Sequence, residues 1–128
     1  MLWRKTLIYW RSIVLTCAIA YGCLLRTPTY HLPPIEHGDK WGHYIAFMLL
    51  TLALLWDSHK AALKPYLRWS IAILYPTLYG ALIEILQHHF FYPRTGEWTD
   101  WLADCLGVAT GCIIGYAIHQ WHEHRMAQ

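Results

Sequence analysis

An acid, a base and an imidazole stand together in Gly38-Asp39-Lys40-Trp41-Gly42-His43, at the mouth of an apolar segment. On a helix, Asp39 and His43 are at i and i+4 and Lys40 and His43 at i and i+3, so the three side chains are expected to meet on one face. Further on, Glu84 and Gln87 share a face with Gly80, and Asp100 and Asp104 are one turn apart. Carboxylates and an imidazole held together can give and take protons, while Lys40 and Arg94 offer a point charge and a planar fork for phosphate or carboxylate. Asp39, His43, Glu84 and Asp100 are therefore the candidate catalytic residues, and Lys40, Gln87, Arg94 and Asp104 the candidate ligand-binding residues. A nucleophile signature is missing: there is no G-x-S-x-G, and Cys105 is the only Ser or Cys adjoining these residues in sequence.

The elements that must position these groups are apolar. Of 128 residues, 56% are hydrophobic and 14% charged, against roughly 25% charged in ordinary soluble domains. The mean hydropathy of +0.23 is modest, because eight Trp, nine Tyr and nine His lower it without making their segments water-loving. Four apolar stretches, about 6–25, 41–57, 69–88 and 100–121, predict an all-α bundle of four transmembrane helices in one domain spanning 1–128. All eight Trp fall at or near the ends of these stretches, where a bilayer holds indoles at headgroup depth. A soluble apolar bundle is the lesser alternative.

Lys and Arg set the expected orientation. Arg4, Lys5, Arg11, Lys60, Lys64, Arg68 and Arg125 belong to one side, and only Arg26, Lys40 and Arg94 to the other. Both termini are expected in the cytoplasm of a bacterial cell, with the protein in its inner membrane, and all eight candidate residues at the outer edge. Arg11 is expected to snorkel from helix one into the headgroups. That helix reads as a retained anchor, since a signal cleavage after Ala18-Ile19-Ala20 would fall inside the apolar run. Pro28, Pro33 and Pro34 make the first outer loop non-helical. Pro76 lies inside helix three and should free the carbonyl of Ala72. Gly107, Gly111 and Gly115 form a small-residue stripe suited to close packing, within the chain or between chains. Cys17, Cys23, Cys105 and Cys112 read as apolar packing residues with no C-x-x-C pair.

At the charged residues the chain resembles the VanZ-like family of small bacterial multi-pass membrane proteins, named after a protein associated with teicoplanin resistance. The resembling motifs are Asp39-Lys40-Trp41-Gly42-His43 for D-K-x-x-H, Glu84-Ile85-Leu86-Gln87 for E-x-x-Q, Arg94 in the next loop, and Asp100 with Gly107 for D-x-x-x-N-x-x-G. Together they cover roughly 33–115. Asp104 stands where the pattern has Asn, which requires it to be protonated, hydrated or paired, with Lys40 or Arg94 as the expected partners. The resemblance implies an integral membrane protein with an outward polar site, linked to the cell envelope and to glycopeptide susceptibility.

Three functional readings follow: a site that binds or acts on a lipid-linked or anionic envelope component, an ionic cluster that merely holds the bundle together, and a small transporter or proton path. No cofactor is expected. Asp39, His43 and Glu84, and separately His119, His122 and His124, are ligand types that zinc accepts, but neither set has a zinc-protease spacing, so no metal is assigned. The lipid bilayer is the expected partner. Nucleic acid is not, because the basic residues trace one membrane face instead of forming a stripe.

Overall fold

The computed structural model describes residues 2–25, 38–91 and 96–128, with only the backbone at 2, 4 and 5. It is all-helical: α1 (Leu2–Ile8), α2 (Trp10–Ala20) extended by a π-helical turn at Tyr21–Leu25, α3 (Gly38–Lys60), α4 (Pro65–Phe90) and α5 (Trp98–Met126). No strand occurs among the described residues. The proline-bearing loop after α2, and Arg94 between α4 and α5, lie outside the described residues.

α4 and α5 are long and apolar enough to cross a membrane. α3, at 23 residues, is nearly as long but less apolar, because it carries Asp39, Lys40, His43, Asp57 and Ser58. Its place in the bundle explains this composition. α3 packs against α2, α4 and α5, and its Phe47, Leu50, Leu54 and Leu55 meet Ile19 of α2, Ala72 of α4 and Val108 of α5 in the core. A helix enclosed by neighbours can hold polar groups that a lipid-facing helix could not. It begins at Gly38 rather than near residue 41, since a polar first turn is invisible to a search for apolar runs.

The expected single helix over 6–25 is interrupted at Tyr9, whose backbone (φ −88°, ψ 14°) separates α1 from α2. Asp57 accounts for the break. This side chain, at the far end of α3, is fully buried and accepts hydrogen bonds from the Ser12 amide (3.1 Å), the Ser12 hydroxyl (2.8 Å) and Arg11 Nη1 (3.2 Å). Ser12 lies in the first turn of α2, where the amide has no partner within its own helix and the helix dipole favours an anion. Asp57 therefore caps α2 from another helix. Arg11, expected to snorkel, is instead tied to this acid, and its guanidinium also lies 4.8 Å from the Trp10 ring centre. Asp57→Ala should lower stability by about 2–4 kcal/mol, read from chemical unfolding in detergent, while Asp57→Asn should lose less because its amide oxygen still accepts.

α3 ends on Ala62 in the left-handed region (φ 55°), with Leu63 N bonded to Ser58 O and Ala62 N to His59 O. This is the paired closure of a Schellman motif made without glycine. α4 then starts with Pro65 in its first turn, where the missing amide costs nothing. It continues helically through the interior Pro76. The carbonyl of Ala72 freed by that proline accepts from the buried Thr51 hydroxyl of α3 at 3.5 Å, and the Thr77 hydroxyl returns to Ile73 O at 2.7 Å.

The glycine stripe of α5 packs within the chain, against α3. A Cβ on Gly107 would collide with the Tyr44 carbonyl and stand 3.1 Å from Met48 N; one on Gly111 would be 2.9 Å from Met48 O. The two backbones approach because these residues have no side chain. α5 runs on to Met126, beyond the expected end near 121, with a His119 to Glu123 contact (3.3 Å) one turn apart on its polar tail.

Candidate functional site

At the end of the bundle opposite Asp57, α3, α4 and α5 each contribute one buried ionisable side chain to a single cluster. His43 comes from the first turns of α3, Glu84 from the last turns of α4 and Asp104 from the second turn of α5. Antiparallel succession places them together, and the glycines let them close. A Cβ on Gly80 would stand 2.6 Å from Asp104 Oδ2, so that residue opens the face of α4 to the α5 carboxylate.

His43 Nδ1–H donates to Asp104 Oδ1 at 2.8 Å, and the same nitrogen is 3.9 Å from Glu84 Oε1. The carboxylate on Nδ1 fixes the imidazole tautomer and turns Nε2 toward Cys23 Sγ, 3.9 Å away. The ring stacks on Phe47, with planes 3° apart. Glu84 Oε2 accepts from the Glu97 amide at 2.9 Å, which pins the residues before α5 to α4. Gln87 is buried and donates to the Cys23 carbonyl at 2.7 Å, in the π-helical turn that ends the first helical arm. Among the described residues, three buried oxygens are left without a hydrogen-bond partner: Glu84 Oε1, Asp104 Oδ2 and Asp100 Oδ1.

Lys40 stands at the mouth of this cluster. Its Nζ donates to Glu97 Oε2 at 3.2 Å and lies 3.3 Å from Asp100 Oδ1, a charge contact without hydrogen-bond geometry. The hydrogen bond to Glu97, then the close Asp100 carboxylate, hold the ammonium above its ordinary pKa, and Lys40 in turn holds the Glu97 carboxyl below the usual carboxylate range. Such an exposed pair adds little to stability. A groove of about 370 Å³ opens beside it between α3 and α5, lined by Lys40, Trp41, Tyr44, Ala103 and Leu106.

The expected residues are sorted by this geometry. His43, Glu84 and Asp104 converge, Gln87 supports them, and Lys40 and Asp100 form the rim. Asp39 does not join: it is exposed in the first turn of α3, with no hydrogen bond or ion pair among the described residues. The i, i+4 relation fixes which residues are neighbours on a helix but not which side chain another helix covers. Lys40 likewise turns from His43 to Glu97 and Asp100. Asp104 pairs with His43, not with Lys40, and Arg94 lies outside the described residues. Gly42 meets open space rather than a neighbouring helix. Glu97 and Cys23 join the site beyond the eight expected residues. Glu97 was readable as an acid three residues before Asp100, whereas nothing in the sequence links Cys23 to His43 across 20 residues.

Comparison with known families decides the relationship: the profile of VanZ/LLP1 matches residues 2–119. The chain belongs to the VanZ/LLP1 family. The match takes in every residue of the cluster and its rim, and Asp57 with its partners as well. No curated protein and no solved structure matches the chain. Within this VanZ/LLP1 chain the arrangement can move protons between His43 and two carboxylates, and it can hold a cation or a hydrogen-bond donor on the Glu84 and Asp104 oxygens that accept no hydrogen bond from the described residues.

Proposed function

We infer that this VanZ/LLP1 protein crosses the bacterial inner membrane four times with both termini inside, and that its cluster is an outward-facing site for the polar part of a lipid-linked or anionic envelope component. One contrast carries the functional half. Asp57, at the other end, has both carboxylate oxygens bonded and is a structural acid, whereas Glu84 and Asp104 each keep one buried oxygen with no hydrogen bond among the described residues, and Asp100 Oδ1 has only its charge contact with Lys40. Unsatisfied buried acceptors are costly in an apolar bundle. Their recurrence in one cluster favours a ligand site over a scaffold. His43 is then the proton carrier, with its tautomer held by Asp104, and Glu84 the second acid or base.

The membrane half is supported by what α4 and α5 show to their surroundings. Only 28% and 22% of their most apolar stretches are buried within the protein, and Leu74, Leu78, Leu82, Ile85, Ile113 and Ile118 lie exposed along them. An apolar surface of that extent suits lipid. Arg11, Lys60, Lys64, Arg68 and Arg125 gather at the end opposite the cluster, as the positive-inside rule requires. A transporter gains no such support: between the two polar ends, 44–56, 69–83 and 105–118 contain no Asp, Glu, Lys, Arg or His. A role in glycopeptide susceptibility rests on the family resemblance alone.

Purified protein incubated with lipid-linked envelope precursors should bind or convert them, and Glu84→Gln should abolish this while the membrane level of the protein stays unchanged. If protein level and activity fall together in Glu84→Gln and Asp100→Ala, the cluster is a scaffold.

A further inference from the structure

His43 Nδ1 and one carboxylate oxygen each from Glu84 and Asp104 lie within 4.8 Å of one another, and all three residues are buried. Nδ1 is 2.8 Å from Asp104 Oδ1 and 3.9 Å from Glu84 Oε1. Ligands at about 2.0–2.2 Å from a tetrahedral zinc stand about 3.3 Å apart, which falls between those two distances, so small side-chain rotations would seat an ion. The unpaired oxygens point the same way. Among the described residues Glu84 Oε1 has no hydrogen-bond partner on a side chain only 10% exposed, and it lies 3.9 Å from His43 Nδ1. Asp104 Oδ2 has none on a side chain with 0% exposure. One N–H satisfies one carboxylate oxygen, whereas a divalent ion draws on both carboxylates at once.

The surroundings hold the three ligands as a metal site requires. Glu84 Oε2 is fixed by the Glu97 amide, the imidazole lies parallel to the Phe47 ring with centres 6.4 Å apart, and His43 Nε2 faces Cys23 Sγ. Outer partners of this kind orient metal ligands and set their basicity.

We propose that His43 Nδ1, Glu84 Oε1 and an Asp104 carboxylate oxygen bind one divalent transition-metal ion, the Nδ1 proton passing to solvent as the ion enters so that the neutral imidazole keeps its hydrogen on Nε2, beside Cys23; zinc is the ion that this nitrogen and oxygen set fits best. The third ligand is Asp104, from α5, in place of the Asp39 expected beside His43 and Glu84. Three protein ligands leave a coordination position open, as in catalytic rather than structural zinc sites. That position is free for water or for an oxygen of a bound head group. The inference rests on the ligand geometry and stands whichever envelope component the protein handles.

The test uses full-length protein in detergent, stripped with chelator, given Zn²⁺ and analysed for bound metal, with Co²⁺ as a visible-absorbing substitute. The expected result is one zinc per chain and a raised Tm on loading. Asp104→Asn, which keeps an acceptor for His43, and Glu84→Gln should each weaken zinc binding at least about tenfold. Gly80→Ala should weaken it too without altering a ligand, since its Cβ would displace Asp104 Oδ2. This third variant keeps the test decisive if either carboxylate variant loses its helical circular dichroism. Replacing His119, His122 and His124 with glutamine should leave the bound zinc in place. Stripped protein that takes up no zinc overturns the proposal, as does uptake that survives Asp104→Asn and vanishes with the tail histidines.

Discussion

Gly107→Ala should be among the most damaging single substitutions outside the cluster, at about 3 kcal/mol of fold stability. The added Cβ would collide with the Tyr44 carbonyl and crowd Met48 N, both backbone groups of α3. Neither can rotate away, so α5 must lift from α3 and take the core contact of Val108 with it. Gly115→Ala provides the comparison. There the nearest atom is Leu55 Cδ1 at 2.5 Å, the far end of a flexible side chain, and the cost should be about 1 kcal/mol or less. Unfolding of the two variants in the same detergent separates them, and equal losses would mean that the two helices do not meet at Gly107 as described. Gly107 also lies one turn after Asp104, so a lifted α5 carries the Asp104 carboxylate away from His43. The same substitution should therefore weaken every activity of the site.

His43→Ala should cost about 3–5 kcal/mol, the usual penalty for breaking a buried ionic contact and stranding its partner. Asp104, with no exposed side-chain surface, would lose its one donor among the described residues, and Glu84 Oε1 the imidazole 3.9 Å away. Asp104→Asn should be far milder, because an amide oxygen still accepts from Nδ1–H. A double variant, His43→Leu with Asp104→Leu, should recover part of the loss by removing both halves of the contact, with a coupling of about 1–3 kcal/mol. Independent, additive losses would show that the imidazole and carboxylate do not depend on each other.

Much of this was legible before any coordinates, and the reasons are physical. Pro76 has no amide, so an Ala72 carbonyl in want of a donor followed from covalent chemistry, and Thr51 supplies it. Helical periodicity put Gly80, Glu84 and Gln87 on one face, and all three are buried together. The glycine stripe announced a close helix contact but not its partner, which only the placement of α3 reveals. What failed was knowledge of who covers whom. Asp39 and His43 are equally good helical neighbours, yet α5 brings Asp104 to one and leaves the other exposed. Asp57 read as the polar end of a helix because its partners, Arg11 and Ser12, are more than 40 residues away. Asp104, the departure from the family pattern, looked like an unpaired charge in need of Lys40 or Arg94. The answer was the nearest histidine on a different helix.

The opposition between a satisfied acid at one end and unsatisfied acids at the other is the centre of this account. Native mass spectrometry of the protein, taken from bacterial membranes with its bound lipids retained, tests it most directly. The account predicts a specific lipid-linked or anionic adduct on the wild-type chain that is lost from Glu84→Gln and retained by Asp57→Asn. Identical bulk phospholipid adducts on all three proteins would contradict it.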